Sequence, residues 1–73
     1  MIVVDATQTA INLKTLRKQH NLSTYQLANL LGISRPPIYR WENGRHVPTV
    51  DHLILLSELY EVPIDAIVAR KEV

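Results

Sequence analysis

The chain has 73 residues, a net charge of +1 and no cysteine, and aromatic residues make up only 5% of it. Its length allows one domain with a small core, and the lack of cysteine excludes both a disulfide framework and a zinc site built on thiolates. Because neither a secretory signal nor a membrane-spanning apolar run is visible, we expect a soluble, cytoplasmic protein.

The small net charge hides an uneven distribution along the chain. Residues 1–46 carry six basic and two acidic side chains, a net charge of +4, whereas residues 47–73 carry two basic and five acidic ones, a net charge of −3. Such a split suits a protein that turns one part of its surface toward a polyanion. Ordinary solvated surface charge is the alternative interpretation, and charge alone does not decide between them.

The first elements are an N-terminal arm and a helix. The opening run MIVVD is β-branched but too short to distinguish a strand, an extended arm and a disordered end, and we favour a short strand. A first helix is predicted from about Thr9 to His20, with the hydroxyl of Thr7 or Thr9 as its cap. Its apolar face comprises Ala10, Leu13 and Leu16.

A second and a third helix are predicted on either side of one glycine. The second spans Thr24 to Leu31, with Ser23 as its cap and Gly32, which tolerates a positive φ, at its end. The third begins at two prolines. A serine cap needs the N–H groups two and three residues later, and Pro36 and Pro37 have none, so Ser34 is not expected to cap.

Each of these prolines also disfavours a helical conformation in the residue before it. Regular helix is therefore predicted only from Pro37 to Asn43, ending at Gly44. On this helix Ile38 and Trp41 should face the core, whereas Tyr39 should face outward. For Tyr25, on the second helix, a phosphate contact and simple exposure both stay open.

The sequence pattern in the last part of the chain predicts two more helices and a tail. A fourth helix should run from Thr49 to about Tyr60, with Leu53, Leu56 and Tyr60 in the core. Ile54 and Leu55 widen its apolar surface beyond one face. After Pro63, a short fifth helix from Ile64 to about Val68 should return two isoleucines to the core.

The order and spacing of these residues resemble the phage repressor and Cro family of helix-turn-helix proteins, also called XRE-type regulators. The matching segments are Leu16-Arg17, Leu22-Ser23, Leu27-Ala28, Leu31-Gly32-Ile33-Ser34-Arg35, Ile38, Trp41-Glu42-Asn43-Gly44 and Pro48. The resemblance implies an all-α, compact five-helix domain like that of lambda repressor, and leaves short terminal β-strands open. In this interpretation residues 1–8 form an arm or strand, 9–68 the domain with its motif at 24–43, and 69–73 a tail.

The resemblance also implies a set of DNA-binding positions. In this family the second helix of the motif lies in the major groove and the helix before it points its N-terminus at a phosphate. The corresponding residues here are Thr24, Arg35, Pro36, Pro37, Tyr39, Arg40, Asn43, Arg45 and His46. The family further pairs an arginine with a glutamate, which implies that Arg17 and Glu42 form a structural ion pair.

Prolines at positions 36 and 37 depart from the family pattern, which more often has polar residues able to bind bases there. They can offer apolar surface to thymine methyl groups, so base-edge hydrogen bonding is expected to move to Arg35 or Arg40. Our sequence-based hypothesis is that Arg40 and Tyr39 dominate sequence recognition.

The expected function is sequence-specific binding of double-stranded DNA as a transcriptional regulator, a repressor acting as a homodimer on a palindromic operator. The candidate dimer interface is Ile54, Leu55, Tyr60 and the terminal segments. The alternative is an antitoxin or adaptor that uses the same fold to bind a protein partner. No cofactor, metal site, membrane contact or catalytic group is expected, since the histidines lack ligand spacing and no nucleophile has a recognisable base.

Overall fold

The computed structural model describes all residues from 1 to 73 and contains four α-helices, one 3₁₀ turn and two short strands. The elements in chain order are β1 (Ile2–Asp5), α1 (Ala6–Gln19), α2 (Thr24–Leu31), α3 (Arg35–Glu42), α4 (Val50–Tyr60), the 3₁₀ turn (Ile64–Ala66) and β2 (Ala69–Glu72). No helix combines the length and the apolar character that crossing a membrane requires.

The prediction of five helices is wrong, because the segment after Pro63 makes only a single 3₁₀ turn. The Ile64 carbonyl accepts hydrogen bonds from the N–H groups of Ile67 and Val68, and the backbone then becomes extended to enter β2. Ile67 is fully buried, as predicted, whereas Ile64 remains partly exposed. The turn therefore brings only one of the two isoleucines into the core.

The first helix starts three residues earlier than predicted, at Ala6, because a carboxylate rather than a hydroxyl caps it. Asp5 Oδ1 accepts the N–H of Gln8 at 3.0 Å. Thr9 has a different role: it is buried, and its Oγ1 accepts the N–H of Ala69 at 2.9 Å. Together with Asn12, whose Nδ2 donates to the Ile67 carbonyl at 3.1 Å, it fixes the C-terminal segment to α1.

The two ends of the chain pair as an antiparallel two-stranded sheet. Ile2 lies opposite Glu72 and Asp5 opposite Ala69. Beyond the ladder, the Val73 N–H donates to the Met1 carbonyl at 2.8 Å, and the Met1 amino group donates to the Val73 carbonyl at 2.9 Å. The short N-terminal strand is thus confirmed, whereas residues 69–73, predicted as a tail, belong mostly to a second strand.

The helix-turn-helix follows local sequence signals closely at its first helix. Ser23 and Gln26 form a reciprocal capping box: Ser23 Oγ accepts the N–H of Gln26, and Gln26 Oε1 accepts the N–H of Ser23. Gly32 has φ 69°, as expected for the residue that ends α2. Both predictions are confirmed.

The third helix departs from prediction at its start. Ser34 makes no side-chain cap, as expected, but helix begins at Arg35 rather than at Pro37. The first N–H groups of any helix lack an intrahelical acceptor, so the two prolines remove no helical hydrogen bond. Their fixed φ suits the helix, and this outweighs the constraint that each places on its predecessor.

A single core lies between the helices. Its buried side chains are Leu13, Leu27, Ala28, Ile38, Trp41, Leu53, Leu56, Tyr60 and Ile67. Every helix contributes at least one of them, and the predicted inward orientation of Ile38 and Trp41 is confirmed. With one face of α3 fixed in this way, its opposite face is left to solvent.

Candidate nucleic-acid interface

The exposed face of α3 is formed by the side chains that do not enter the core. Arg35, Pro36, Tyr39 and Arg40 are exposed, and Pro37 is half-buried. Both arginines retain guanidinium donors at the surface, and neither takes part in an ion pair. This face can therefore donate several hydrogen bonds to an acidic or carbonyl-rich partner.

Tyr39 lies beside the first turn of α2. Its hydroxyl is 3.4 Å from Thr24 Oγ1, a long hydrogen bond in which either group can donate. Thr24 is the first residue of α2 and is half-buried. The contact joins the two helices of the motif at the surface, and it places both hydroxyl groups at the positive end of α2.

A second contact between the same two helices involves Tyr25, for which the sequence left the role open. The Arg35 guanidinium carbon lies 5.7 Å from the centre of the Tyr25 ring, within the range of a cation–π interaction. Both side chains are exposed. No sequence signal links residues ten positions apart on separate helices, which is why this pair could not be predicted.

The loop after α3 carries the remaining predicted DNA-binding residues. Asn43, Arg45 and His46 are exposed. The N–H groups of Arg45 and His46 both donate to the Arg40 carbonyl, at 3.0 and 3.3 Å, so the loop folds back onto the end of the helix. Gly44, at φ 77°, lies against the first turns of α1, where a Cβ would stand 3.7 Å from the Ala6 carbonyl oxygen.

Arg17 and Glu42 form a bidentate ion pair between α1 and the last residue of α3. Arg17 Nε lies 2.8 Å from Glu42 Oε2, and Nη2 lies 3.0 Å from Oε1, with side-chain exposures of 11% and 8%. Arg17 Nη1 also donates to the Leu22 carbonyl at 2.8 Å. The hydrogen bond to Glu42 raises the pKa of Arg17 above its usual value. The two charge-assisted hydrogen bonds join α3 directly to α1.

The three side chains predicted at a dimer interface separate into two groups. Ile54 and Leu55 are 47% and 45% exposed on α4, and Val50 one turn earlier is also exposed. Tyr60 is only 3% exposed, so its inclusion is wrong: it faces the same core as Leu53 and Leu56. The N-terminal strand also presents exposed apolar side chains at Ile2 and Val4.

Two of the three histidines pack against aromatic rings. His20 lies 4.9 Å from Tyr60, and His52 lies 5.2 Å from Trp41, measured between ring centres. His52 Nδ1 also lies 3.1 Å from Thr49 Oγ1. No group of three or more potential metal-ligating side chains is clustered in the structure.

Comparison with known proteins identifies the family to which this chain belongs. The sequence profile described as Helix-turn-helix matches residues 13–67, three quarters of the chain. The chain belongs to this helix-turn-helix family, the XRE-type regulators. The HTH-type transcriptional activator BcrR of Enterococcus faecalis is 37% identical over 60 residues, which cover 82% of this chain and 29% of BcrR.

Solved structures give the same fold in different settings. A transcriptional regulator from Listeria innocua superposes with a TM-score of 0.77 at 32% identity, over 89% of this chain and 62% of that one. Hydroxypropylphosphonic acid epoxidase from S. wedmorenis matches with a TM-score of 0.78 at 29% identity, but over only 34% of the enzyme. The chain also spans between 16% and 49% of the curated relatives it matches, so the fold occurs as one part of longer proteins.

Proposed function

We propose that this chain binds double-stranded DNA in a sequence-specific manner and regulates transcription, with α3 placed in the major groove. The observation that carries the proposal is the exposed face of α3, where Arg35, Tyr39 and Arg40 project from a helix whose other face is fixed in the core. A major groove about 12 Å wide admits one such helix. The relatives named as transcriptional regulators support the same function.

Within this proposal the residues divide into two roles. Arg40 and Arg35 read base edges, because a guanidinium can bind guanine through two hydrogen bonds. Pro36 and Pro37 offer apolar contact to thymine methyl groups. Backbone phosphates are met by Thr24 at the start of α2 and by the loop residues Asn43, Arg45 and His46.

The test compares a DNA sequence selected from a random pool with a scrambled version of it, by fluorescence anisotropy. Arg40→Ala should reduce the preference for the selected sequence about five- to 150-fold, since a bidentate contact provides ~1 to 3 kcal/mol of discrimination. Lys18→Ala is the matched control, because Lys18 is exposed on α1 and lies outside α3. It should leave the ratio unchanged. An unchanged preference in Arg40→Ala would remove Arg40 from recognition.

We further propose that the chain represses as a homodimer on a palindromic operator. One copy has few base contacts, so tight binding favours two copies on half-sites about 34 Å apart. The exposed apolar surface at Val50, Ile54 and Leu55 is the candidate interface. Sedimentation should detect a dimer at micromolar concentration or on DNA, and a monomer under both conditions would exclude it.

The same apolar surface favours a second candidate function, in which the domain acts as an antitoxin or adaptor that binds a protein partner. Salt dependence separates the two. For DNA binding through Z phosphate contacts, log K falls with log salt at a slope of about −0.9Z. A DNA affinity that is weak and independent of salt would favour the protein-binding function.

A further inference from the structure

The start of α3 is poor in backbone donors. In an ordinary helix the first N–H groups are free and can bind an anion or a base acceptor. Here Pro36 and Pro37 carry no N–H, so two of these donors are missing at this end. Arg35 is the first residue of the helix, and its guanidinium is the one charged donor in this first turn.

A long exposed arginine is a poor recognition group unless something orients it, because it loses rotamer freedom on binding. Arg35 has such a support in Tyr25, whose ring centre lies 5.7 Å from its guanidinium carbon. Tyr25 belongs to the first turn of α2, whose backbone is held by the two hydrogen bonds of the Ser23–Gln26 capping box. The cation therefore lies over an aromatic ring that projects from a capped helical turn.

We propose that Tyr25 is a positioning residue, which holds Arg35 at the start of α3 so that the guanidinium donors meet the edge of a guanine. The N–H groups of a guanidinium lie in its plane, so a contact with an aromatic ring through its face leaves them free for a base. The ring acts through the arginine and makes no base contact itself. The inference rests on the proposed DNA binding and adds a specificity-determining residue that the helix-turn-helix pattern does not contain.

A double-mutant cycle tests the coupling. The guanine read by Arg35 is the one at which Arg35→Gln loses sequence preference, and a variant DNA is changed at that base pair. Discrimination between the selected DNA and this variant DNA is then measured for four proteins: wild type, Tyr25→Leu, Arg35→Gln and the double variant. Tyr25→Leu should lower discrimination about two- to fivefold, the range for an exposed cation–π contact. In the Arg35→Gln background it should have no further effect, since the supported group is gone.

Two further variants separate support by the ring from other roles of Tyr25. Tyr25→Phe keeps the aromatic face and should retain full discrimination. Loss in Tyr25→Phe would mean that the hydroxyl contacts DNA, which overturns the proposal. Leu30→Ala is the control, because Leu30 lies on the same helix and is 59% exposed, as Tyr25 is; it should leave discrimination unchanged.

A measurement without DNA distinguishes failure of this inference from failure of the proposed function. In NMR spectra of the free protein, the Arg35 Hδ protons should be shifted upfield by the ring current of Tyr25, and Tyr25→Leu should abolish the shift. Absence of the shift in wild type, or additive effects in the cycle, would refute the positioning role while DNA binding stands. A wild-type protein that shows the shift but lacks sequence preference would refute the proposed function and this role with it.

Discussion

Tyr60 keeps its hydroxyl group in the core without any hydrogen-bond partner, although the Arg17–Glu42 pair lies close enough to affect its titration. A buried, unpaired polar group costs about 1 to 3 kcal/mol of desolvation. Burial also raises the pKa of Tyr60 to about 12. The Tyr60 ring therefore stabilises the fold by packing in the core and against His20, whereas its hydroxyl group lowers the stability.

Tyr60→Phe should raise the free energy of unfolding by about 1 kcal/mol at pH 7, because the ring stays and the unpaired hydroxyl is removed. The variant should also lose a pH dependence. In wild type the unfolded chain releases the phenol proton near pH 10 and the folded chain near pH 12, so stability falls as pH rises through this interval. Urea unfolding at pH 7 and pH 11, followed by Trp41 fluorescence, measures both effects. A destabilised Tyr60→Phe would show that the hydroxyl has a partner.

The Arg17–Glu42 pair predicts a strong dependence of stability on either partner. Glu42→Gln should destabilise the fold by about 3 kcal/mol, because it leaves a nearly buried guanidinium without its anion. The double variant Arg17→Met, Glu42→Leu should be less destabilised than Glu42→Gln, since apolar side chains of similar size replace both charges. Chemical denaturation checks the order. Equal losses in the single and double variants would mean that packing, rather than charge, governs this site.

At the scale of elements, all four helices end in the same way. Each is followed by a residue in the left-handed conformation and by a backbone hydrogen bond that spans five residues, as in the Schellman motif. Gly32 and Gly44 suit this conformation, and Asn21 tolerates it, whereas Glu61 has φ 55° with a full side chain. The end of α4 is thus the one terminus whose sequence opposes its geometry.

Glu61→Gly should therefore raise the free energy of unfolding by about 0.5 to 1 kcal/mol, as relief of left-handed strain exceeds the greater entropy of the unfolded chain. Glu61→Ala controls for the removed carboxylate, and it should bring little gain because alanine keeps the Cβ. Thermal melts of both variants give the comparison. A gain of equal size in Glu61→Ala would assign the effect to charge at the helix end instead.

Elements governed by local sequence signals could be predicted from the sequence, whereas those that depend on competing effects or on tertiary contacts could not. Ser23 with Gln26 and the Gly32 end are local signals within a few residues, so α2 could be placed to the residue. The start of α3 could not, since two opposing proline effects had to be weighed. The contact of Tyr25 with Arg35, and the hold of Thr9 on Ala69, depend on tertiary approach, which periodicity does not encode.

At the scale of the whole molecule, the basic and acidic residues of the uneven charge distribution lie on different elements of the fold. Two of the six basic residues in the first 46 lie on the exposed part of α3 and a third in the loop after it, while most acidic residues of the second part lie on α4 and the turns that follow. A polyanion approaching α3 therefore meets the basic part of the surface first, which favours fast, salt-sensitive association. The net charge of +1 conceals this separation of basic from acidic residues.

The pairing of β1 with β2 has a consequence for chain topology. With the Met1 amino group 2.9 Å from the Val73 carbonyl oxygen, the backbone is almost a closed ring. Joining the ends through a short linker should leave the fold intact and lower the entropy of the unfolded chain only. The free energy of unfolding should therefore rise by up to about 4 kcal/mol. The melting temperature of the cyclised chain, against a linear chain carrying the same linker, measures this. Because cyclisation alters neither α2 nor α3, it offers a way to stabilise the domain without touching the surface proposed to read DNA.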